Sequence, residues 1–497
     1  MQSAQKQPER TSKLKLSAFD PPIALLPSLV AVCLYLMFSA VWIPGLAPRF
    51  YDDARCLELI LLALVVVQLF LPPVVDLVAT SWVYLDKLPR VLIAVFLAGG
   101  ALSAWNSGFV RFGALEIALN VQLVVLFLVL SGSVRIEKQR NEAALAMALS
   151  AGAGLLVLKF WLTYLLYVFE GKDFPWLTPF LDFANVRFFS QYQAYSLLLI
   201  LLPACLQNLR NSWRVLLYVI AINFWALQWI VSTRAVWAGF VLAVLIVLVF
   251  ARQGRMIWLR MQVMTMLAGG VVFLIFSRVV ASLPTATRVP NAVGSIIQRG
   301  SESILERIAL WRSALDFIMA QPLLGVGPGQ FGLQTYPMFA AHPHNFPLQM
   351  LSEYGLFAGL AGIALMALLV VLAVKTIRAG SPSGPDLSGK SIAAALIMGL
   401  TDSLFSGNQI MPHSQILLCV VAAMLVGRMP VHSPELFARN PRSDYRSLKL
   451  AFIGIAMLAI LTTTILGMAY LRAVKDMGPN VQKGNPHFWN YGRFSAW

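Results

Sequence analysis

Leu356-Phe-Ala-Gly-Leu-Ala-Gly-Ile-Ala-Leu-Met-Ala-Leu-Leu-Val-Val-Leu-Ala-Val374 runs without a charged residue until Lys375. It belongs to an apolar stretch over 346–374, long enough as a helix to cross a hydrocarbon core of about 30 Å. Similar stretches recur at 23–43, 56–79, 90–105, 113–132, 143–169, 190–208, 214–232, 235–252, 261–278, 391–409, 413–428 and 449–471. The chain is 59% hydrophobic and 12% charged, with a mean hydropathy of +0.73. Soluble domains carry about 25% charged residues, and β-barrels show short alternating segments instead of continuous runs. The pattern predicts an all-α, polytopic integral membrane protein with about 12–13 transmembrane helices, of which 90–105 is the shortest.

The formal charge of +16 does not form one compact basic face, which argues against a nucleic-acid partner. Basic residues cluster in short connections between runs. Placing the N-terminus in the cytoplasm puts Lys87/Arg90, Arg135/Lys138/Arg140, Arg210/Arg214, Arg252/Arg255/Arg260, Lys375/Arg378/Lys390 and Arg428/Arg439/Arg442/Arg446 inside, as the positive-inside rule requires. The opposite side then receives 170–189, the turn at 232–235, a long connection at 279–345, the turn at 409–413 and the basic tail 472–497. Residues 1–20 are polar and basic with no short apolar core, so the first run is expected to act as the insertion signal without cleavage. Cys33, Cys205 and Cys419 lie in apolar runs and Cys56 opens one. None has metal-ligand or disulfide spacing.

The long connection holds most of the chain's candidate chemistry. From Ser301, a possible N-cap, to Ala320, residues Ile304, Ile308, Leu315 and Ile318 recur at helical spacing, predicting an amphipathic helix on the outer interface. Pro322-Leu-Leu-Gly-Val-Gly-Pro-Gly329 and His342-Pro-His-Asn345 follow. Neutral imidazole is a competent general base near neutral pH, which makes His342 and His344 candidates, with Asn345 beside them to position a substrate or a ring nitrogen. Arg234 sits in Ser232-Thr-Arg-Ala-Val-Trp237, a turn so tight that its guanidinium is expected between two membrane helices. Arg307 and Arg312 project from the loop helix, and Arg187 starts another outward-facing one. Arginine forks match phosphate oxygens and stay charged, so this set suits a diphosphate leaving group. Lys159 and Asp402 lie within apolar runs and need partners; an arginine is the expected partner of Asp402. Gly325, Gly327 and Gly329 lack the Lys-Ser/Thr of a nucleotide loop and read as a sharp backbone turn.

At these residues the chain resembles the bacterial O-antigen ligase superfamily: O-antigen ligases, O-antigen and exopolysaccharide polymerases, and protein O-oligosaccharyltransferases. Ser232-Thr-Arg-Ala235 resembles the family's membrane-boundary arginine motif. Arg307-Ile-Ala-Leu-Trp311 with the glycine loop resembles the segment leading into its active-site loop. His344-Asn345 followed by Gly355 resembles its catalytic histidine motif, although Ala358 stands where the ligase pattern has Gly, Thr or Tyr. The resemblance covers about 185–430. It divides the chain into N-terminal helices (1–184), a ligase-like domain (185–430, with the loop 279–345), and a cytoplasmic connection, last helix and tail (431–497).

The resemblance implies a metal-independent inverting glycosyltransferase without cofactor. His344 would be catalytic; Arg187, Arg234, Arg307, Arg312, His342 and Asn345 would bind substrate. The donor would be an undecaprenyl-diphosphate-linked glycan, the acceptor lipid A–core, a growing glycan or a protein, and the site periplasmic in a bacterial inner membrane. An O-antigen ligase role in lipopolysaccharide or surface polysaccharide biosynthesis leads, with polymerase or protein O-oligosaccharyltransferase as alternatives. A transporter or lipid flippase is the rival of another class; it would place charges at the membrane midplane between related repeats, and no repeat is evident.

A reporter fused after Asn345 is expected to be active outside the cytoplasm, and one fused after Lys390 inside it. Reversal at both positions would refute the orientation.

Overall fold

The computed structural model describes residues 21–41, 45–47, 50–172, 174, 183, 186–206, 209–281, 292–334, 341–380, 384–429 and 445–477. Among them the helices are α1 (Pro21–Phe38), α2 (Phe50–Val67), α3 (Pro72–Tyr84), α4 (Lys87–Asn106), α5 (Val110–Ile136), α6 (Lys138–Phe169), α7 (Val186–Ser196), α8 (Leu202–Leu206), α9 (Asn211–Val231), α10 (Arg234–Phe250), α11 (Arg255–Ala281), α12 (Ala292–Ala320), α13 (Phe331–Gln334), α14 (Phe346–Arg378), α15 (Leu387–Asp402), α16 (Pro412–Gly427) and α17 (Arg446–Met477). No strand occurs among the described residues. The protein is an all-helical, multi-pass membrane protein.

Among the described residues, the greater part of each apolar run is helical. Among the described residues, eight helices are long and apolar enough to cross a membrane: α4, α5, α6, α7 continued through α8, α9, α11, α14 and α17. Helices α1, α10 and α16 are shorter apolar helices, and α15 has 16 residues. The run at 90–105 grows into a full 20-residue helix, α4, which starts at Lys87. The run at 56–79 is not one straight span. It bends by 102° between α2 and α3, where Leu71 is extended (φ −80°, ψ 120°) ahead of Pro72. Proline has no N–H to give and disfavours helical backbone at the residue before it.

α5 is the hub, packed against α2, α3, α4, α6, α16 and α17, with Leu115, Leu119, Leu126 and Leu130 fully buried. The three stretches read from the sequence therefore share one bundle. Connections gather at two ends. At one, Gln139 Nε2 donates to the Leu206 carbonyl (2.6 Å) and Arg135 to the Val426 carbonyl (3.2 Å). At the other, Tyr51 OH donates to the Ile410 carbonyl (2.8 Å) and Gln330 Nε2 to Ser107 Oγ (2.6 Å). This sorting agrees with the alternation in the charge pattern. Lys159 Nζ donates to the Val41 carbonyl at 3.0 Å, so the lysine inside an apolar run has its polar partner at the end of α1.

The loop helix is longer than its sequence signal. α12 begins at Ala292, nine residues before Ser301, which is interior to the helix and not its cap. Leu310, Ala314 and Phe317 pack on Phe331, while Ile308 and Leu315 of the expected apolar stripe are exposed. The expected connection 431–444 and the tail beyond Met477 lie outside the described residues.

At the end carrying Arg135 and Arg428, three helices are joined by charge. Arg428, after α16, reaches Glu142 of α6 (2.6 Å) and Asp386, the N-cap of α15 (2.7 Å). Burial alone would push the Asp386 carboxyl up; Arg428, the Gly389 N–H and Ser388 outweigh it and hold it at about 2. Arg428→Leu leaves Glu142 buried without its counter-charge. It should lower stability by about 3–5 kcal/mol, visible as a fall in the unfolding midpoint of the purified protein in detergent.

Candidate active site

The site begins with a fracture. Inside α14, Gly355 takes φ 71° and ψ −172°, a backbone that side chains with a Cβ avoid. The break frees helix carbonyls and an amide, and the preceding glycine loop takes them up. Val326 N–H donates to the Ser352 carbonyl (2.9 Å), Gly327 N–H to the Glu353 carbonyl (3.0 Å), and Leu356 N–H to the Pro322 carbonyl (2.8 Å). Gly325 has positive φ and lies so close that a Cβ there would stand 2.6 Å from the Glu353 carbonyl and the Gly355 nitrogen. The Glu353 carboxylate accepts from Gly329 N–H (3.2 Å) and Phe331 N–H (3.3 Å). The glycines, all at positive φ, make the sharp turn expected of them and, beyond that expectation, seat it on α14. Ala358 also has a steric reason to be small, since α4 crosses there at Gly99.

His342-Pro343-His344-Asn345 is held above that seat from three sides. Trp311 of α12 donates its indole N–H to the Pro343 carbonyl (3.0 Å). Asn345 Oδ1 accepts from Leu348 N–H (3.0 Å) to cap α14, and its Nδ2 donates to the Leu404 carbonyl (3.2 Å). Phe346 N–H donates to the Ser403 carbonyl (3.1 Å). His344 itself has φ 53°, uncommon for a residue with a side chain. Its N–H donates to His342 Nδ1 (3.2 Å), and the two rings meet edge-on with centroids 4.2 Å apart. His342 is buried, packed on the backbone of Gly407, whereas His344 is half-buried at the mouth.

Three of the expected arginines converge there. Desolvation first, then the charges of Arg187 and Arg307, push the His344 imidazole down to about 3, so it stays neutral at physiological pH. Arg307 is half-buried and donates to the Phe405 carbonyl (3.1 Å). Its pKa is lowered by desolvation and by Arg187 and Arg234, against the opposing charges of Asp402 and Glu306. Arg187 and Arg234 are exposed at the starts of α7 and α10. The turn before Arg234 is tight, with Ser232 left-handed and Thr233 Oγ1 2.6 Å from Ser190 Oγ. Arg234 itself is exposed at that turn. Asp402, buried at the end of α15, accepts from Ser406.

The remaining candidates divide differently. Arg312 is exposed and is not among the charges acting on His344 or Arg307. It follows Arg307 by five residues, which turns it about 140° around the helix. His342 and Asn345 hold the loop by hydrogen bonds that leave His344 as the outward group. Trp311 closed a quoted motif but was given no role, and Gly407 and Glu353 were not singled out from the sequence. Only Trp311, one helical turn after Arg307 on the same face, had a usable signal. No group of three or more metal-ligating side chains occurs among the described residues. What the mouth offers is a neutral base beside concentrated, fixed positive charge.

Residues 195–364 match a family model described as O-antigen ligase. This stretch is therefore similar to O-antigen ligases. The matched O-antigen ligase region contains Arg234, Arg307, Trp311, His344 and Gly355, and leaves Arg187 just outside. No curated protein matches the chain.

In the isotope-labelled protein, the His344 imidazole should remain neutral from pH 8 to about pH 4 and titrate near 3. Because neutrality is the favoured folded state, protonation of His344 contributes destabilisation only as pH falls below the ordinary value near 6.5. A histidine NMR titration checks this, with His344→Gln identifying the signal; a midpoint near 6.5 would mean that neither burial nor the charges of Arg187 and Arg307 act on the ring.

Proposed function

We propose that the protein is a membrane glycosyltransferase of O-antigen ligase type. It moves a glycan from an undecaprenyl-diphosphate carrier to an acceptor hydroxyl on the periplasmic face of the inner membrane, in lipopolysaccharide or surface polysaccharide biosynthesis. The observation that carries this reading is the neutral His344 imidazole at one mouth with Arg187, Arg234 and Arg307.

In this reading His344 takes the acceptor hydroxyl proton as the oxygen attacks the anomeric carbon. The bond from that carbon to the diphosphate oxygen breaks, and its electron pair leaves with the diphosphate. Attack from the face opposite the leaving group inverts the centre. Arg187, Arg234 and Arg307 receive the developing negative charge from fixed positions, with no reorganisation at the moment of reaction. Burial, with the charges of Arg187 and Arg307, also keeps His344 deprotonated until the donor arrives. The diphosphate then offsets the arginine charges, and a proton on His344 becomes easier to hold during transfer. His342, through its bond to the His344 amide, serves as a positioning residue, and Asn345 does the same from the helix cap.

Purified protein, a polyprenyl-diphosphate glycan and separate lipid A–core, glycan and protein acceptors test the proposal. His344→Ala should lower transfer by about 10²–10⁴-fold. Arg234→Lys and Arg307→Lys should each lose at least about tenfold, near 1.4 kcal/mol, because the fork geometry is lost. Arg312→Lys should match the unaltered protein. Glycan translocation without cleavage of the carrier, or full activity in His344→Ala, would overturn the reading.

A further inference from the structure

Away from the histidine mouth, α4 and α17 lean on either side of α5 and leave a cleft of about 620 Å³ between them. Small side chains line all three walls: Ala98 and Ala101 on α4, Ala114 and Ala118 on α5, Ala451 and Ala459 on α17. Thr462 is its one hydroxyl-bearing lining residue. One end is closed by Trp82 of the bent α3, edge-on to Phe452 with centroids 5.8 Å apart. The other end opens at Trp105 and Val110, beside the turn whose Ser107 binds Gln330 of the glycine loop. From Ile93 to Trp105 the α4 wall spans 12 residues, about 18 Å of helix. One leaflet of a hydrocarbon core is about 15 Å deep.

The lips of the cleft are continuous with the apolar outer surface of the bundle. Val95, Leu102 and Trp105 of α4 and Ile455 and Leu458 of α17 are all exposed. What meets that surface is bilayer hydrocarbon, and the cleft is too apolar to hold water, which needs polar partners. At the open end Arg111 is exposed, on the α5 face that carries Ala114 and Ala118. An anionic head group would find positive charge there.

We infer that this cleft seats one acyl chain of an anionic phospholipid, taken from the leaflet on the histidine side, as a resident lipid distinct from anything bound at His344. Its chain fills the space between α4 and α17 down to Trp82, and its head group lies near Arg111. The reading does not depend on the proposed transfer reaction.

The full-length protein in vesicles containing phosphatidylglycerol with a photoreactive acyl chain tests it. Adducts should concentrate on the facing walls of α4, α5 and α17, at least about fivefold above the exposed residues of α9 and α11. The cleft-filling pair Ala98→Phe/Ala101→Phe should remove that excess and leave α9 and α11 labelling unchanged. In detergent, added phosphatidylglycerol should raise the unfolding midpoint of the unaltered protein and not that of the filled one, since only the former gains a bound ligand. If the filled pair does not fold, the distribution of adducts on the unaltered chain decides alone. Even labelling around the bundle, or displacement by unlabelled polyprenyl phosphate but not by unlabelled phosphatidylglycerol, would overturn the assignment. So would efficient Ala101→Cys cross-linking between two copies.

Discussion

A broken helix inside a membrane is tolerated only when protein replaces every hydrogen bond the break removes. Hydrocarbon offers no substitute, and each bare amide or carbonyl costs several kcal/mol there. At Gly355 the replacement is complete enough to fix a second segment: Pro322, Val326 and Gly327 bond to the freed groups through their own backbone. Those bonds are backbone to backbone, and the close approach they need requires that Gly325 and Gly355 carry no Cβ. The ends of α12 and α13 are placed by the same seat. Arg307, Trp311 and the histidine loop inherit their positions from it.

Electrostatics then separates two kinds of arginine. Arg55 is fully buried and ion-paired with Glu58, and it donates to Gln415 Oε1 (2.7 Å) and the Ile410 carbonyl (2.7 Å). Its charge is matched within the bundle, and its work is to pin the connection between α15 and α16. That connection supplies the Ser403, Leu404 and Phe405 carbonyls that hold the histidine loop and Arg307. Arg187 and Arg234 instead repel Arg307, and the acids Asp402 and Glu306 oppose only part of that repulsion. Collecting like charges in this way is unfavourable in the free protein, and an anion at the mouth relieves it.

Much of this was legible in the chain. Runs such as 356–374 could be nothing but spans, and the alternation of Lys and Arg clusters sorted the connections into the two ends the bundle has. The His344–Gly355 spacing also made sense, since the glycine is where α14 must break for the loop to dock. Other features depended on direction or distance, which sequence spacing does not carry. Five residues along a helix separate Arg307 from Arg312 in orientation, though the two look interchangeable in a list of basic residues. Asn345 had two polar ends that the fold claimed for a cap and a carbonyl. The bend at Leu71 was signalled by Pro72 and Pro73 but hidden by unbroken hydrophobicity. Arg55 has a local ion pair in Glu58, three residues on, but its bond to Gln415 spans 360 residues and could not be read from spacing.

The ion network around Arg428 sets an order on biogenesis. Glu142 and Arg428 are 286 residues apart, and at about 5–20 residues per second of synthesis the acid waits roughly 15–60 s for its partner. During that interval α6 is already made while α15 and α16 are not, so the Glu142 carboxylate must stay hydrated or protonated at the membrane face. Final closure of the bundle is therefore a late event, triggered when α16 arrives and its terminal guanidinium draws α6 and α15 together. A nascent chain halted before Arg428 would carry the complete histidine loop and still lack the clasp that locks the helices behind it.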